Sequence, residues 1–432
     1  MGQATAAHTA LRNMLIISGA SLSSSAAGFL LVTIAARRLG VAGFGQFSTV
    51  QILVTSLAVL ADVGLVNVVV REVAQHRDRT PAIAGGVALL RIGLASIAVV
   101  CCCVLAWALG YDPYTRKLVL VFSLMLIPQS VGAGCASVFS GFEQMGWLAI
   151  IWIVSALAYV VAAVLMTLGW GLTAVFATLT VGSALGAVVG LAVLYYRFEV
   201  KRPFLIDTAM WLRYLREAYP YGLMAIVGML SIGVGPLALR SMKGEAELGY
   251  YNCAYAVASV LLIVTSAYGR AIFPVFSRLQ VSSREAMHRS YTFTMKVILA
   301  VGLPAAVGLT ILAPLITILF PGYGRAVPVL QTLIWYAYFA LLATPPLSIL
   351  YAEGKQMESL LIHVIAAAVC LCLVAVMIGR YGMMGVCLPM VACTALMALL
   401  SYRRASPKCL VSVSRLAVHC PCARGEALKE SE

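Results

Sequence analysis

From Leu15 to Ala36 the chain runs for twenty-two residues without an Asp, Glu, Lys, Arg or His. That length matches the roughly 20 apolar residues of helix needed to cross the ~30 Å hydrocarbon layer of a bilayer. Eleven comparable runs follow: Gly43 to Val70, Ile83 to Leu109, Leu118 to Ser140, Trp147 to Leu168, Leu172 to Tyr195, Pro220 to Leu239, Tyr250 to Phe273, Thr292 to Phe320, Ala326 to Leu350, Leu360 to Ile378 and Met383 to Leu400. Lipid offers no partner to backbone N–H and C=O groups, so spanning segments are helices or a closed barrel. Alternation of period two is absent, which leaves helices. With 62% hydrophobic and 11% charged residues, the composition lies outside that of a soluble domain.

The sequence therefore predicts an all-α integral membrane protein of about 12 transmembrane helices in two six-helix lobes. The first lobe is expected over 11–200, a cytoplasmic linker over 201–217, the second lobe over 218–402, and a disordered cytoplasmic tail over 403–432. No loop is long enough for a separate soluble domain. The first apolar run exceeds a usual signal-peptide core, so it reads as a retained helix.

Orientation follows the bias of Lys and Arg toward cytoplasmic loops. With the N-terminus inside, the inner segments hold 19 such residues and the outer ones 8, which places both termini in the cytoplasm. The formal net charge of +14 is accounted for by this topology and by anionic lipid headgroups, without nucleic acid. Nine of the twelve cysteines, including Cys101, Cys102, Cys103, Cys135 and Cys253, fall within apolar spans and read as small hydrophobes. In the tail, Cys409, His419, Cys420 and Cys422 are spaced too tightly for a usual zinc site, so neither metal nor cofactor is expected.

The chain carries an internal echo. In ARRLGVAGFGQF, residues 36–47, the order of Arg38, Gly45, Gln46 and Phe47 is repeated by Arg240, Gly249, Tyr250 and Tyr251 in RSMKGEAELGYY. Pairing Gly45 with Gly249 gives an offset of 204 residues, about half the length before the tail. Each elbow joins the first and second helices of its half, and six helices per half give both repeats the same sense in the membrane. Between the halves, Tyr195 to Pro220 reads as an amphipathic linker, with Trp211 and Leu212 on the bilayer surface. Pro220 is expected to open the seventh span, and Pro128, Pro236, Pro304, Pro314, Pro345, Pro346 and Pro389 to kink the spans they fall in.

An N-terminal amphipathic span, ARRLGVAGFGQF, then ADVGLVNVVVREVA over 61–74 and GFEQMGW over 141–147 together resemble bacterial polysaccharide flippases, the family handling O-antigen, capsule and exopolysaccharide in the multidrug/oligosaccharidyl-lipid/polysaccharide exporter superfamily. The resemblance is strongest over the first 150 residues. It implies a non-enzymatic flippase of the bacterial cytoplasmic membrane that moves an undecaprenyl-diphosphate-linked oligosaccharide from inner to outer leaflet by alternating access. It also implies a cationic cavity lined by the first and second helices of each half. The implied partners are the polyprenyl-diphosphate-linked glycan, anionic lipids, and polysaccharide polymerase with other assembly proteins.

Ionisable residues at membrane depth are functional candidates. Asp62 and Arg91 each lie eight residues from the same face on consecutive helices, where they form either a structural ion pair or a site at which Asp62 couples to a cation or proton. Arg270 either contacts the diphosphate or snorkels to the interface, and Lys296 has the same two readings. Ser18, Ser21, Ser23, Ser24 and Ser25 suit either close helix packing or a watery cavity. Tyr250, Tyr251, Asn252, Tyr255 and Tyr268 offer surface for sugars or belong to the interfacial belt. Arg37 and Arg38, opposite Arg240 and Lys243, are expected to rim the outer mouth, receiving the diphosphate or holding a gate through Glu245 and Glu247; the plainer reading is that they end helices and meet lipid phosphates. A drug antiporter would require acidic residues in the cavity, where only Asp62 is available. A polymerase or ligase would require acid–base or nucleophilic groups on a sizeable outer loop, and these loops are short and lack His.

Overall fold

The computed structural model describes residues 2–198, 208–282 and 284–405, with the backbone alone at 2–15, 18, 208, 209, 220, 270, 271, 274, 280–282 and 284. The tail candidates Cys409, His419, Cys420 and Cys422 lie outside the described residues. Every regular element described is a helix. Eleven stretches are long and apolar enough to cross a membrane. One of them, Gly19–Gln75, has 57 residues, about 85 Å at 1.5 Å per residue, and it is folded back by a break at Gly40 (φ 66°, ψ 180°). The described residues therefore hold twelve candidate crossings.

In the first lobe, α1 (Gly2–Leu57) supplies two crossings on either side of Gly40, the second continued by α2 (Val59–Asp62) and α3 (Leu65–Gln75). Then come α4 (Thr80–Ala108), α5 (Pro113–Ser123) with α6 (Leu126–Gly141), α7 (Met145–Thr167) and α8 (Leu172–Arg197). The second lobe holds α9 (Thr208–Lys243), α10 (Glu245–Ser282), a ninth crossing of α11 (Arg284–Val297), α12 (Leu303–Leu312) and α13 (Ile316–Leu319), then α14 (Val327–Ala352), α15 (Gln356–Tyr381) and α16 (Met384–Ala405).

Three spans expected to be continuous are interrupted. The second breaks after Asp62, where Val63 (φ 45°) and Gly64 (φ 80°) adopt left-handed backbone. Gly64 is required there twice over, since a Cβ would also lie 2.9 Å from the Gly222 nitrogen on α9. The fourth breaks at Leu124 and Met125, ahead of Pro128, and Thr180 Oγ1 on α8 donates to the Val121 carbonyl (2.9 Å) beside that break. The ninth passes through a π-helical stretch, Ile298–Gly302, just before Pro304 and a 3-10 turn, Ala313–Leu315, at Pro314. Proline removes a ladder bond in each of the last two cases.

The linker reading also changes. Pro220 does not open a helix but falls twelve residues into α9, which begins at Thr208. Trp211 is held against the first lobe, its Nε1 donating to the Gly86 carbonyl (2.8 Å) on α4. An indole N–H seeks an acceptor when its ring is covered, and the second lone pair of a helix carbonyl provides one. Arg213 pairs with Glu72 (2.6 Å) and Arg71 with Glu217, so the start of α9 is fastened to the first lobe.

The buried side chains fall into an asymmetric pattern. Toward the two elbows, one continuous apolar cluster joins both lobes, running from Phe44, Phe47 and Phe176 to Leu248, Tyr323 and Leu330. Toward the linker it divides. One cluster, with Val69, Phe139 and Tyr214, belongs to the first lobe and the start of α9, and another, with Phe276, Leu347 and Ile362, to the second. The lobes thus share one core at the elbow end, while at the linker end the start of α9 joins the first lobe and the rest of the second lobe keeps a core of its own.

Candidate functional site

The two elbows meet. Gly40 and Gly244, both with positive φ, are 204 residues apart, the same offset that relates Gly45 to Gly249. Gly45 and Gly249 face one another across the lobes so closely that a Cβ on Gly45 would lie 1.9 Å from the Glu245 carbonyl oxygen, and one on Gly249 2.3 Å from that of Val41. Around this contact Arg37 Nε donates to the Leu319 carbonyl (2.7 Å) and the Tyr323 hydroxyl to that of Ala36 (3.1 Å). The Arg240 guanidinium lies over the ring of Tyr111, 3.7 Å from its centroid. Each of these contacts crosses from one lobe to the other.

The expected cationic rim is therefore a seal. Arg240 is spent on Glu245 (2.7 Å) and Tyr111, and Glu247 is paired with Arg325, so neither acid holds Arg37 or Arg38. Arg37 and Arg38 are exposed at the helix end. Nearby, Asp112 caps α5, accepting from the Thr115 N–H (3.0 Å) and hydroxyl (2.5 Å). Burial alone would push its carboxyl up, but the Thr115 bonds and the Arg240 charge hold it below its ordinary value.

Below the seal lies a cavity of about 830 Å³ between the first and second helices of the first lobe and α10 of the second. From one side it is lined by Ser48, Gln51, Ile52 and Thr55, and from the other by Asn252, Tyr255, Ala256 and Ser259. These are the same four positions of each repeat, again 204 residues apart. Spacings of three and four residues put each set on one face of its helix. Ser24, Ser25 and Tyr159 complete the polar wall, and the Asn252 amide nitrogen is buried without a hydrogen-bond partner.

No described lining residue carries a charge. Of the substrate-binding candidates, Tyr255 lines the cavity; Arg37, Arg38, Arg240 and the exposed Lys296 do not. Arg270 has its side chain outside the described residues, though its place on α10 is seven residues past Ile263 of the lining. Tyr251 turns away into the core (1% exposed), donating to Met390 sulfur, and Tyr250 packs edge-on against Tyr323. The physical reason is reach. Arg37 lies beside the Leu319 carbonyl and Arg240 beside the Glu245 carboxylate and the Tyr111 ring, and those partners hold them at the interface.

Asp62 and Arg91 come together at 2.6 Å. Arg91 is fully buried between the second, third and fourth crossings, and it also donates to the Ser130 carbonyl (3.4 Å), while the Asp62 side chain stays 38% exposed at the helix break. A guanidinium withdrawn from both water and lipid headgroups is tolerable only with such a partner.

Sequence reasoning missed Ser48, Gln51, Thr55 and Ser259. The signal was present in the 204-residue offset, which maps three polar positions of one span onto three of another.

Residues 10–280, more than half of the chain, match the family model described as polysaccharide biosynthesis protein. The chain belongs to that family. Among curated proteins, a putative O-antigen transporter of Shigella flexneri is 23% identical over 372 residues, covering 81% of this chain and 86% of that one. Among solved structures, an inward-facing multidrug resistance MATE family transporter of the MOP superfamily superimposes with a TM-score of 0.72 at 14% identity, over 91% of this chain and 95% of the other. The lipid II flippase MurJ in an inward closed conformation gives 0.70 at 14%, over 94% of each chain. At such identities the two structures share with this family member its fold.

Proposed function

We propose that the chain carries a polyprenyl-diphosphate-linked oligosaccharide from the inner to the outer leaflet of the bacterial cytoplasmic membrane, by alternating access. The observation that carries this reading is the two-sided cavity, in which a stripe of polar residues from both lobes runs through an otherwise largely apolar wall, closed off at the elbow end and flanked by separate cores at the linker end. Moving a diphosphate and a hydrated sugar through hydrocarbon costs tens of kcal/mol in the Born limit. The cavity lowers that barrier by offering hydroxyls and amides in place of water.

With the linker end cytoplasmic, as the Lys and Arg bias predicts, this is the inward-open state. The glycan then occupies the uncharged stripe of Ser48, Gln51, Thr55, Asn252, Tyr255 and Ser259. The diphosphate stays nearer the mouth, at the level of position 270, seven residues past Ile263 along α10. Transport follows when the elbow contacts part and the linker-end gap closes. Nothing in this cycle makes or breaks a covalent bond, so the protein acts as a carrier and not as an enzyme.

An exporter of cationic drugs is favoured by the fold likeness to a multidrug transporter but opposed by a described lining without a carboxylate. The deciding experiment is reconstitution of the purified chain in proteoliposomes, with transbilayer movement followed for a fluorescent polyprenyl-diphosphate glycan and for a cationic dye. Glycan movement, abolished by Arg270→Ala at normal expression, supports the proposal. Dye movement alone overturns it, and normal glycan flux in Arg270→Ala removes that residue from the site.

A further inference from the structure

The first lobe contains a second cavity, of about 320 Å³, behind the central one. It opens between α1, α6, α7 and α8, at the break in the fourth crossing, and adjoins the central cavity at Ser24 and Tyr159, which line both. Its volume falls within the range of about 300–1,000 Å³ found for ligand sites.

The chemistry of its walls is specific. Gln129, Ser155 and Ser183 bring amide and hydroxyl groups, Trp152 and Tyr159 bring aromatic surface, and no described lining residue is charged. Gln129 is exposed to this space although it lies well inside an apolar span. Open to the cavity, this amide offers two donors and an acceptor to a ligand with matching groups.

Three classes of ligand fit less well. A metal or alkali cation would require carboxylates or free carbonyls, and the carbonyls beside the break are taken, Val121 by Thr180 and Met125 by Ser183. An anion would lack a counter-charge. A lipid tail would leave the Gln129 amide unpaired. A neutral sugar ring suits all the features, because its hydroxyls match an amide with two donors and an acceptor and its C–H face packs on an aromatic ring.

We propose that this recess is a saccharide subsite, which receives an uncharged sugar residue distal to the one attached to the diphosphate. The inference rests on the carrier reading above. It assigns the recess a role in selecting glycan length, since a lipid with a single sugar does not reach it from the central cavity while a repeat unit does.

The test uses the full chain in proteoliposomes with two probes, a polyprenyl diphosphate bearing one sugar and one bearing an uncharged oligosaccharide. Gln129→Leu and Trp152→Leu are expected to reduce oligosaccharide flux at least tenfold, about 1.4 kcal/mol, while single-sugar flux stays within twofold of the unsubstituted protein. Single-sugar flux also reports that each variant has folded. Equal loss on both probes, or no loss on either, overturns the subsite. If a Leu variant fails to fold, Gln129→Ala and Ser183→Ala must reproduce the selective loss or the proposal falls. An unsubstituted protein that moves neither probe overturns the carrier reading itself, a result distinct from any of these.

Discussion

The second helix of each lobe leaves its elbow glycine in the same way, and the two then diverge. After Gly40 and Gly244, residues 41–57 and the first part of α10 present matching polar positions to one cavity and matching glycines to one seal. Farther along, the first lobe places Asp62, left-handed Val63 and Gly64. The equivalent Ser266 to Tyr268 remain helical within an unbroken α10. The comparison teaches that twofold likeness is retained where both lobes must meet the same cargo and each other. It is lost where one helix serves its own lobe. A β-branched residue with positive φ costs of order 1–3 kcal/mol, and the close approach of Val63 to Gly222, and of Gly64 to Ala218 and Tyr221, on α9 holds the break in place.

The largest difference between the lobes is expected at Asp62. Asp62→Asn strands the buried Arg91 guanidinium and should lower thermal stability in detergent by about 2–3 kcal/mol, the usual cost of a broken buried pair reduced for the exposure of Asp62. Ser266→Ala, its counterpart, should stay within about 0.5 kcal/mol. Equal effects would erase the asymmetry.

The seal, in contrast, predicts symmetry. Gly45→Ala and Gly249→Ala each drive a Cβ into backbone of the other lobe, an overpacking cost of about 1–3 kcal/mol. Both should weaken elbow closure by about tenfold. Pulsed electron spin resonance between labels at Ala42 and Ala246 should then show a second, longer distance. A response to one substitution alone would break the twofold relation of the elbows.

A smaller effect separates the lobes at the same end. Asp112 caps α5 through its side chain, whereas α14 in the second lobe begins without such a cap. Asp112→Ala should cost about 1 kcal/mol, read as a fall in melting temperature. Because the folded carboxyl is held below its ordinary value, its contribution is complete above the ordinary carboxylate range, near pH 4. It fades as the pH falls through and below that range, so the variant and the parent should converge in acid.

Much of this architecture was legible before any coordinate. Apolar run length specified the crossings, because lipid enforces one element length and leaves the backbone only its own helix to bond with. The repeat offset specified which helices would face one another, and it also marked the cavity stripe for a reader who applied it beyond the elbow. Gly45 and Gly249 were identifiable as partners, though not as surfaces in contact.

What the chain order does not encode is which neighbour a side chain reaches. Arg240 reads as a cation on the rim of the outer mouth until Tyr111 from the other lobe covers it, and nothing in the order of residues announces that Trp211 meets the Gly86 carbonyl. Period and composition fix which segments leave water, since burial in lipid acts on each residue where it stands. Whether a buried charge seals a gate or greets a substrate depends on contacts between residues far apart in sequence, and only the packed lobes decide that.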